Sequence, residues 1–417
     1  MDRTLTILIP NYNRPQALRR LLGQLAVALD KLGSVGGRVC VLVVDDYSDQ
    51  DIDAVFAPFR GRENFSLKLQ STKCGNAETA FLSALPLLKS EYVWLLGNDD
   101  QISTDGLAYL IQVLGATDVG FILLNPAITK TTTGATHVPL TTTTPMVYYD
   151  HTEDLFFDFG FVTSTTTFPC LLMKVAPIRN FHRRHGLNRH SAVYSHTFTI
   201  FGALRLQPAL VISTPVVKFT LNERLDEHEK LFKQAPAGIE FFHQTLGLAR
   251  LINATAQVCG IGVERLGGAF EDEVDKDTLR VVPTLLSHFL VFFTLQQLAV
   301  EQAEVAAPRA KFGHLVASEF DELRDLIARF GDTDLHRLFE EAAEVLWSPN
   351  ATPAWKMHYL HLAQQRLRKL VDARYASAIE GLPIRGAKKI APDTFSLTPL
   401  RGAGADAAGF VLRPGYG

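Results

Sequence analysis

Four short polar clusters carry the residue types that could do chemistry together. They are Pro10-Asn11-Tyr12-Asn13-Arg14, Asp45-Asp46-Tyr47-Ser48, Ser71-Thr72-Lys73 and Gly97-Asn98-Asp99-Asp100. Oxygen ligands packed as closely as Asn98-Asp99-Asp100 suit a hard divalent cation, Mg²⁺ or Mn²⁺. Such a cation keeps waters and binds substrate phosphates beside one or two carboxylates. Arg14 and Lys73 supply the cations that a diphosphate needs, although either can equally be a plain surface charge. An isolated Asn-Asp-Asp triplet is more often a turn. Here its placement favours a metal site with Asn98 and Asp100 as ligands.

That placement comes from the elements in front of the clusters. Each cluster ends a short apolar run: Thr4–Ile9, Val39–Val44, Phe65–Gln70 and Tyr92–Leu96. Runs this short and rich in Val, Ile and Leu read as buried parallel strands. Helix-patterned stretches separate the first three, so the order is strand–helix–strand. In an open parallel sheet the ligand lies outside the carboxyl ends of the strands, so the four clusters should converge on one crevice. Leu18, Leu21, Leu22, Leu25 and Leu29 recur at helical spacing, with Asn13 as cap, Pro15 in the first turn and Gly33 as stop. Asp49 is the expected cap of a second helix, Asn76–Leu88 forms a third and Thr104–Leu114 a fourth. A strand over Val119–Leu124 follows.

The stretches TILIPNYNRPQALRRLLGQL, VLVVDDYSDQD and KCGNAETAFLSALPLLKSEYVWLLGNDD resemble the successive motifs of family 2 glycosyltransferases with the GT-A fold. The phrase EYVWLLGNDD is especially similar to the bacterial abequosyltransferase-like branch, which builds surface polysaccharides such as lipopolysaccharide. The resemblance is specific over residues 4–105 and extends to about Arg224. It implies transfer of a sugar from a nucleotide diphosphate to a hydroxyl, usually with inversion and a divalent metal, Mn²⁺ or Mg²⁺. It also implies that Asp45 and Asp46 meet the nucleotide base and ribose, where the alternative is a strand-to-helix turn with its cap. Pro10, Asn11 and Asn13 let the backbone approach the nucleotide, and Arg14, Lys73 and Asn76 complete the substrate-binding set. The family usually reads Asn-x-Gly after the third strand, where this chain has Cys74, and Asp at the head of the metal motif, where it has Asn98.

Inverting transfer needs a carboxylate to take the acceptor proton. The candidates are Asp99, Glu153, Asp154 and Asp158, the last three in YYDHTEDLFFDFGF, with Asp154 preferred. Each is alternatively a solvated helix face. GT-A enzymes often supply a late His as a further metal ligand. His196 is the candidate, against a structural role for a lone His on a helix.

Composition sets the outer limits. At 417 residues the chain is long for one domain. Apolar content of 47%, charged content of 20% and a net charge of −3 describe an ordinary folded protein with no basic field for nucleic acid. Cys40, Cys74, Cys170 and Cys259 are widely spaced and form neither a disulfide framework nor a zinc pattern, so a reducing cytoplasm is expected. No signal peptide is read at the N-terminus. Val281–Val300 matches a bilayer span in length. Pro283, Ser287, His288, Gln296 and Gln297 favour a buried core helix first, an interfacial helix second and a span third.

Further along, the Thr-rich stretch 129–145 reads as a β-ribbon or a surface loop. Phe161–Pro169 reads as a strand, Leu187–Leu206 as a helix and Val211–Leu221 as a last strand. From Glu223 the period is helical. The fold class expected is therefore α/β, a mostly parallel Rossmann-like sheet flanked by helices, followed by an all-α C-terminal region. Domains fall at 1–225, 226–380 and a poorly packed tail at 381–417. The partners implied are a nucleotide-diphosphate sugar donor and a glycan or lipid-linked acceptor. A peripheral contact at the inner face of the cell membrane and a homo-oligomer are left open. Two other classes stay in view: a nucleotide-sugar-binding or scaffold protein without catalysis, and a nucleotidyltransferase. IPNYNRP lacks the Gly-rich basic loop of the latter.

Overall fold

The computed structural model describes residues 4–74, 77–129, 136–137, 145–159, 163–186, 195–220 and 250–262, separate helical residues at 266 and between 321 and 369, and 388–389. In the first half, strands β1 (Leu5–Asn11), β2 (Val39–Asp45), β3 (Phe65–Leu69), β4 (Tyr92–Leu95), β5 (Gln101–Ile102) and β6 (Phe121–Thr129) alternate with helices. Those helices are α1 (Pro15–Leu32), α2 (Ile52–Phe56), α3 (Ala77–Ala84) and α4 (Thr104–Ala116). There follow β7 (Thr136–His137), β8 (Met146–Tyr149), α5 (Thr152–Phe159), α6 (Thr163–Thr166), β9 (Leu171–Lys174), α7 (Val175–His185), α8 (Ser195–Leu204) and β10 (Ala209–Thr220). Helix α9 (Thr333–Trp347) and strand β11 (Lys388–Lys389) come last.

All eleven described strands join one sheet, with the order β11-β8-β10-β6-β9-β4-β1-β2-β3; β5 pairs with β10 and β7 with β6. This is the α/β GT-A architecture: a sheet between two layers of helices. Strands β4, β1, β2 and β3 are parallel neighbours, with Leu5 opposite Val39 on one side and Tyr92 on the other. The other half is mixed, with β10 parallel to β6 among antiparallel neighbours. Strand β9 lies antiparallel between β4 and β6, and β8 lies antiparallel to β10.

Side-chain alternation divides the core. Ile7 and Ile9 of β1 and Val41 and Val43 of β2 face α1, α2 and α4, whereas Leu8, Leu42, Val44 and Leu95 face α3, α5, α7 and α8. Helix α1 buries Leu18, Leu21, Leu22, Leu25 and Leu29, starts with Pro15 and stops at Gly33, whose φ of 55° suits glycine. The caps differ from expectation. Arg14, not Asn13, is the N-cap of α1, and Asp51, not Asp49, caps α2 by accepting from Ala54 N. Asn13 and Asp49 bind each other instead. Strand β3 is an edge strand with Lys68 and Leu69 exposed, so it is not the buried strand its composition implied.

Phe161–Pro169 is not a strand in its described part. Thr163–Thr166 forms helix α6 and Phe168–Cys170 a tight turn. Pro169 has no N–H to give a sheet ladder. The Thr repeat instead serves packing: Thr165 Oγ1 hydrogen-bonds Thr197 Oγ1 of α8 at 2.9 Å. The ribbon expected in the Thr-rich stretch exists as β7 against the end of β6. Of Leu187–Leu206, helix α8 is described from Ser195.

Leu251, Ile252, Leu338 and Phe339 belong to the same buried cluster as α3 and α8, so the helical segments 250–259 and α9 pack on the sheet domain. Val281–Val300 lies outside the described residues. Among the described residues no helix is long and apolar enough to cross a membrane. In the tail expected to be poorly packed, Lys388–Lys389 pairs with Val147 and Tyr148 of β8.

Candidate active site

The parallel half of the sheet brings its strand ends together in the order β4-β1-β2-β3. A side-chain relay ties three of these ends. Asn98 Nδ2, just past β4, donates to Asn11 Oδ1 at 2.7 Å, and Asn11 Nδ2 at the end of β1 donates to Asp45 Oδ1 at the end of β2, also at 2.7 Å. Asp45 is saturated further by Ser48 N at 2.9 Å and Ser48 Oγ at 2.6 Å. All of Asn11, Asp45 and Asn98 are buried, where each amide or carboxylate must find partners.

The loops after β1 and β2 are stitched twice more. Asn13 Nδ2 donates to Asp49 Oδ2 at 2.9 Å while Asp49 N donates to Asn13 Oδ1 at 2.8 Å, and Asn13 N donates to Ser48 Oγ at 2.8 Å. The loop after β3 closes on them: Cys74 N donates to Asp46 Oδ1. Burial, with the Asp46 carboxylate beside it, pushes the Cys74 thiol above its ordinary value. Lys73 Nζ sits over the Tyr12 ring, 4.1 Å from its centre, and donates to Tyr12 Oη at 2.8 Å. That hydrogen bond holds the Lys73 ammonium above its usual pKa. Pro10, one residue before the end of β1, lies opposite Val44. Asn76 lies outside the described residues.

Gly97 gives the acidic turn its shape. Asp100 Oδ2 accepts from Gly97 N at 2.6 Å. A Cβ on Gly97 would stand 2.7 Å from Asp100 Oδ2 and 2.9 Å from Asp99 Oδ1, so both carboxylates close over the glycine. Arg14 Nη1 donates to Asp99 Oδ2 at 2.8 Å, which places one cation against this anionic pair. Two hard carboxylates at one buried turn fit a divalent cation, with Asp99 and Asp100 as the residues that would hold it. Among the described residues no group of three or more His, Cys, Asp and Glu side chains stands ready for a metal.

Two expected roles change, those of Asp154 and His196. Asn98, expected as a metal ligand, donates its amide nitrogen to Asn11, and the side-chain oxygen that could coordinate takes no part in that bond. Glu153 and Asp154 open α5, whose Thr152 N and Glu153 N donate to Gln207 O and Arg205 O just before β10. That is the edge where β10 begins beside Phe121 of β6, level with the start of β4 and opposite to the crevice. Glu153 there pairs with Arg205 at 2.9 Å, and Asp154 is exposed beside His151. Asp154 is therefore not at the crevice. Asp158 lies further along α5, and its side chain lies outside the described residues.

His196 is fully buried in the first turn of α8. Its Nε2 hydrogen-bonds Thr165 O at 2.7 Å and its ring meets Phe168 edge-on. Burial pulls its pKa below the ordinary value, and Glu78 and the Thr165 carbonyl act the other way. These contacts give His196 a packing role in place of the metal ligation expected. Residue spacing did not single out Tyr12, Ser48 or Gly97. The available signal was their position inside the strand-end clusters.

Residues 6–199 match the family described as Glycosyl transferase family 2. Among solved structures, S. aureus TarS 1–349 in complex with UDP-GlcNAc aligns at 13% identity, covering 88% of this chain and 92% of that one, with a TM-score of 0.50. The mannosyltransferase PcManGT from Pyrobaculum calidifontis, in complex with GDP-Man and Mn²⁺, aligns at 14% identity over 88% of each chain with a TM-score of 0.36. A comparison with curated proteins found no match. At these identities the TarS likeness shows the fold.

Proposed function

We propose that this chain is a family 2 glycosyltransferase that moves a sugar from a nucleotide-diphosphate donor to a hydroxyl, with inversion. The observation that carries this is the Asn98–Asn11–Asp45 relay. It holds three strand ends at the one edge where an open parallel sheet binds ligands, inside the segment that matches the family. Asp45 and Asp46 then serve the base and ribose, while Arg14 and Lys73 face the diphosphate.

Asp99 and Asp100 would hold a divalent cation, Mn²⁺ or Mg²⁺, which when bound offsets charge on the leaving diphosphate. Of the carboxylates considered for the base, Glu153 and Asp154 lie at the opposite edge, and Asp99, paired with Arg14 and beside Asp100, serves the cation and not the acceptor proton. The acceptor is a glycan or lipid-linked hydroxyl in bacterial surface polysaccharide synthesis at the inner face of the cell membrane. That assignment, like the abequosyltransferase-like branch, rests on the EYVWLLGNDD phrase.

A thermal-shift panel of nucleotide sugars, with and without Mn²⁺, tests the reading, because a ligand bound by the native state raises the midpoint by mass action. UDP-GlcNAc, the ligand of the TarS complex, is the first to try. A metal-dependent rise for one donor, followed by its hydrolysis or transfer, is expected. A flat panel overturns the reading.

A further inference from the structure

We infer that Tyr47 is a recognition residue for the donor, its ring packing on the nucleobase; this rests on the nucleotide reading of the crevice. Among the described residues two non-glycine residues have positive φ, Asn13 at 51° and Tyr47 at 60°. Asn tolerates the left-handed region because its short side chain bonds locally, and Asn13 does so with Asp49. A tyrosine does not. For a bulky side chain this conformation is strained, and such strain persists only where the surroundings over-determine it.

The surroundings of Tyr47 do so on both sides. Before it, Asp46 N donates to Asn11 O at 2.8 Å and the Asp46 carboxylate accepts from Cys74 N. After it, Ser48 gives both N–H and hydroxyl to Asp45 and accepts from Asn13 N. The backbone is thereby forced into a shape that glycine would adopt without cost. The Tyr47 side chain contributes nothing to that shape. It is 58% exposed, and among the described residues it makes no hydrogen bond or ring contact. A strained position filled by a large exposed aromatic does not serve stability.

Its location indicates what it does serve. Tyr47 directly follows Asp45 and Asp46 on the loop after β2, beside the loop after β1 that carries Tyr12, 39% exposed. Lys73 sits over the Tyr12 ring at 4.1 Å, whereas the Tyr47 ring is the more exposed of the two and meets no other ring or cation among the described residues. A nucleobase is the flat, apolar-faced part of a nucleoside diphosphate, and stacking on an aromatic ring is tolerant of base identity. The fixed backbone removes the ordering cost that a mobile loop would add on binding.

Calorimetry with UDP, GDP, CDP and ADP on wild type, Tyr47→Gly and Tyr47→Phe tests this. Tyr47→Gly should raise the melting temperature, because glycine relieves the strain, yet weaken the best-bound nucleoside diphosphate about tenfold. Tyr47→Phe should retain wild-type affinity. Unchanged affinity in Tyr47→Gly overturns the inference and leaves the nucleotide reading intact. Loss of affinity in Tyr47→Phe equal to that in Tyr47→Gly overturns ring stacking in favour of the hydroxyl. Binding of none of the four by wild type removes the nucleotide reading and this inference together.

Discussion

Asn98 donates its amide nitrogen to Asn11 Oδ1 at 2.7 Å, and through Asn11 the end of β4 is tied to Asp45 at the end of β2. The contact explains why an amide stands at the head of the acidic turn. A carboxylate there could not donate, and would face the Asn11 oxygen and the neighbouring Asp99 and Asp100 with like charge. We predict that Asn98→Asp lowers stability by about 1–3 kcal/mol, the cost of a buried group left unpaired. It should also weaken nucleotide binding. Equal stability by chemical denaturation, with tighter Mn²⁺ binding, would show that position 98 is a metal ligand after all.

Arg14 and a divalent cation compete for Asp99, since Arg14 Nη1 already lies 2.8 Å from Asp99 Oδ2. Arg14→Ala is expected to tighten Mn²⁺ binding several-fold, because an opposing positive charge is removed near the anionic pair. Nucleoside diphosphate affinity should fall in the same variant. Mn²⁺ titration by electron paramagnetic resonance checks the first effect and calorimetry the second.

Gly97→Ala should distort the acidic turn, since its new Cβ would lie within 2.9 Å of carboxylate oxygens of both Asp99 and Asp100. We expect about 1–3 kcal/mol of destabilisation, as for overpacking, together with loss of transfer. Asp100→Asn provides the contrast. It can still accept from Gly97 N, so its melting temperature should stay close to wild type while metal-dependent transfer is abolished. A fully active Asp100→Asn would remove Asp100 from the site.

Asp45→Ala should reduce stability as well as nucleotide affinity, because Asp45 accepts from Asn11 and twice from Ser48. Hydrogen bonds to charged groups are each worth about 1.5–3 kcal/mol, so a loss of at least about 2 kcal/mol is expected. Urea unfolding of Asp45→Ala beside Asp45→Asn measures it. A silent Asp45→Ala would show that the relay does not hold the crevice.

Acid should weaken the fold through His196. Its pKa in the folded chain is lowered below 6.5 by burial. The unfolded chain therefore takes up a proton first as pH falls below about 6.5, so stability is lost in that direction and is independent of this group above it. His182, also lowered by burial, has the same sign. Melting temperatures between pH 7.5 and 5 should fall, with a shallower slope in His196→Gln. An unchanged slope would exclude His196 as a source of the dependence.

Much of the fold was legible in the strand runs. Thr4–Ile9, Val39–Val44 and Tyr92–Leu96 are mostly apolar because a central strand is covered on both faces, and β1, β2 and β4 are buried along their whole length. The run Phe65–Gln70 misled because an edge strand needs only its inner side covered. Strand β9 escaped because three apolar residues and a lysine are too few to carry a period of their own.

By itself, then, the sequence determined the strand–helix alternation and hence the edge at which the four clusters meet, since the clusters follow their strands directly in the chain. Only the tertiary structure decided what each polar residue does there. Asn98, Asn11 and Asp45 are far apart in sequence and adjacent through strand order, so their hydrogen bonds could not be read from spacing. Asp154 illustrates the converse. Its neighbours in sequence made it look like a base, but β8 runs antiparallel to β10 and delivers α5 to the opposite edge of the sheet. Residue type sets which bonds a group can make, and strand direction sets which partners come within the 3 Å or so that a hydrogen bond spans.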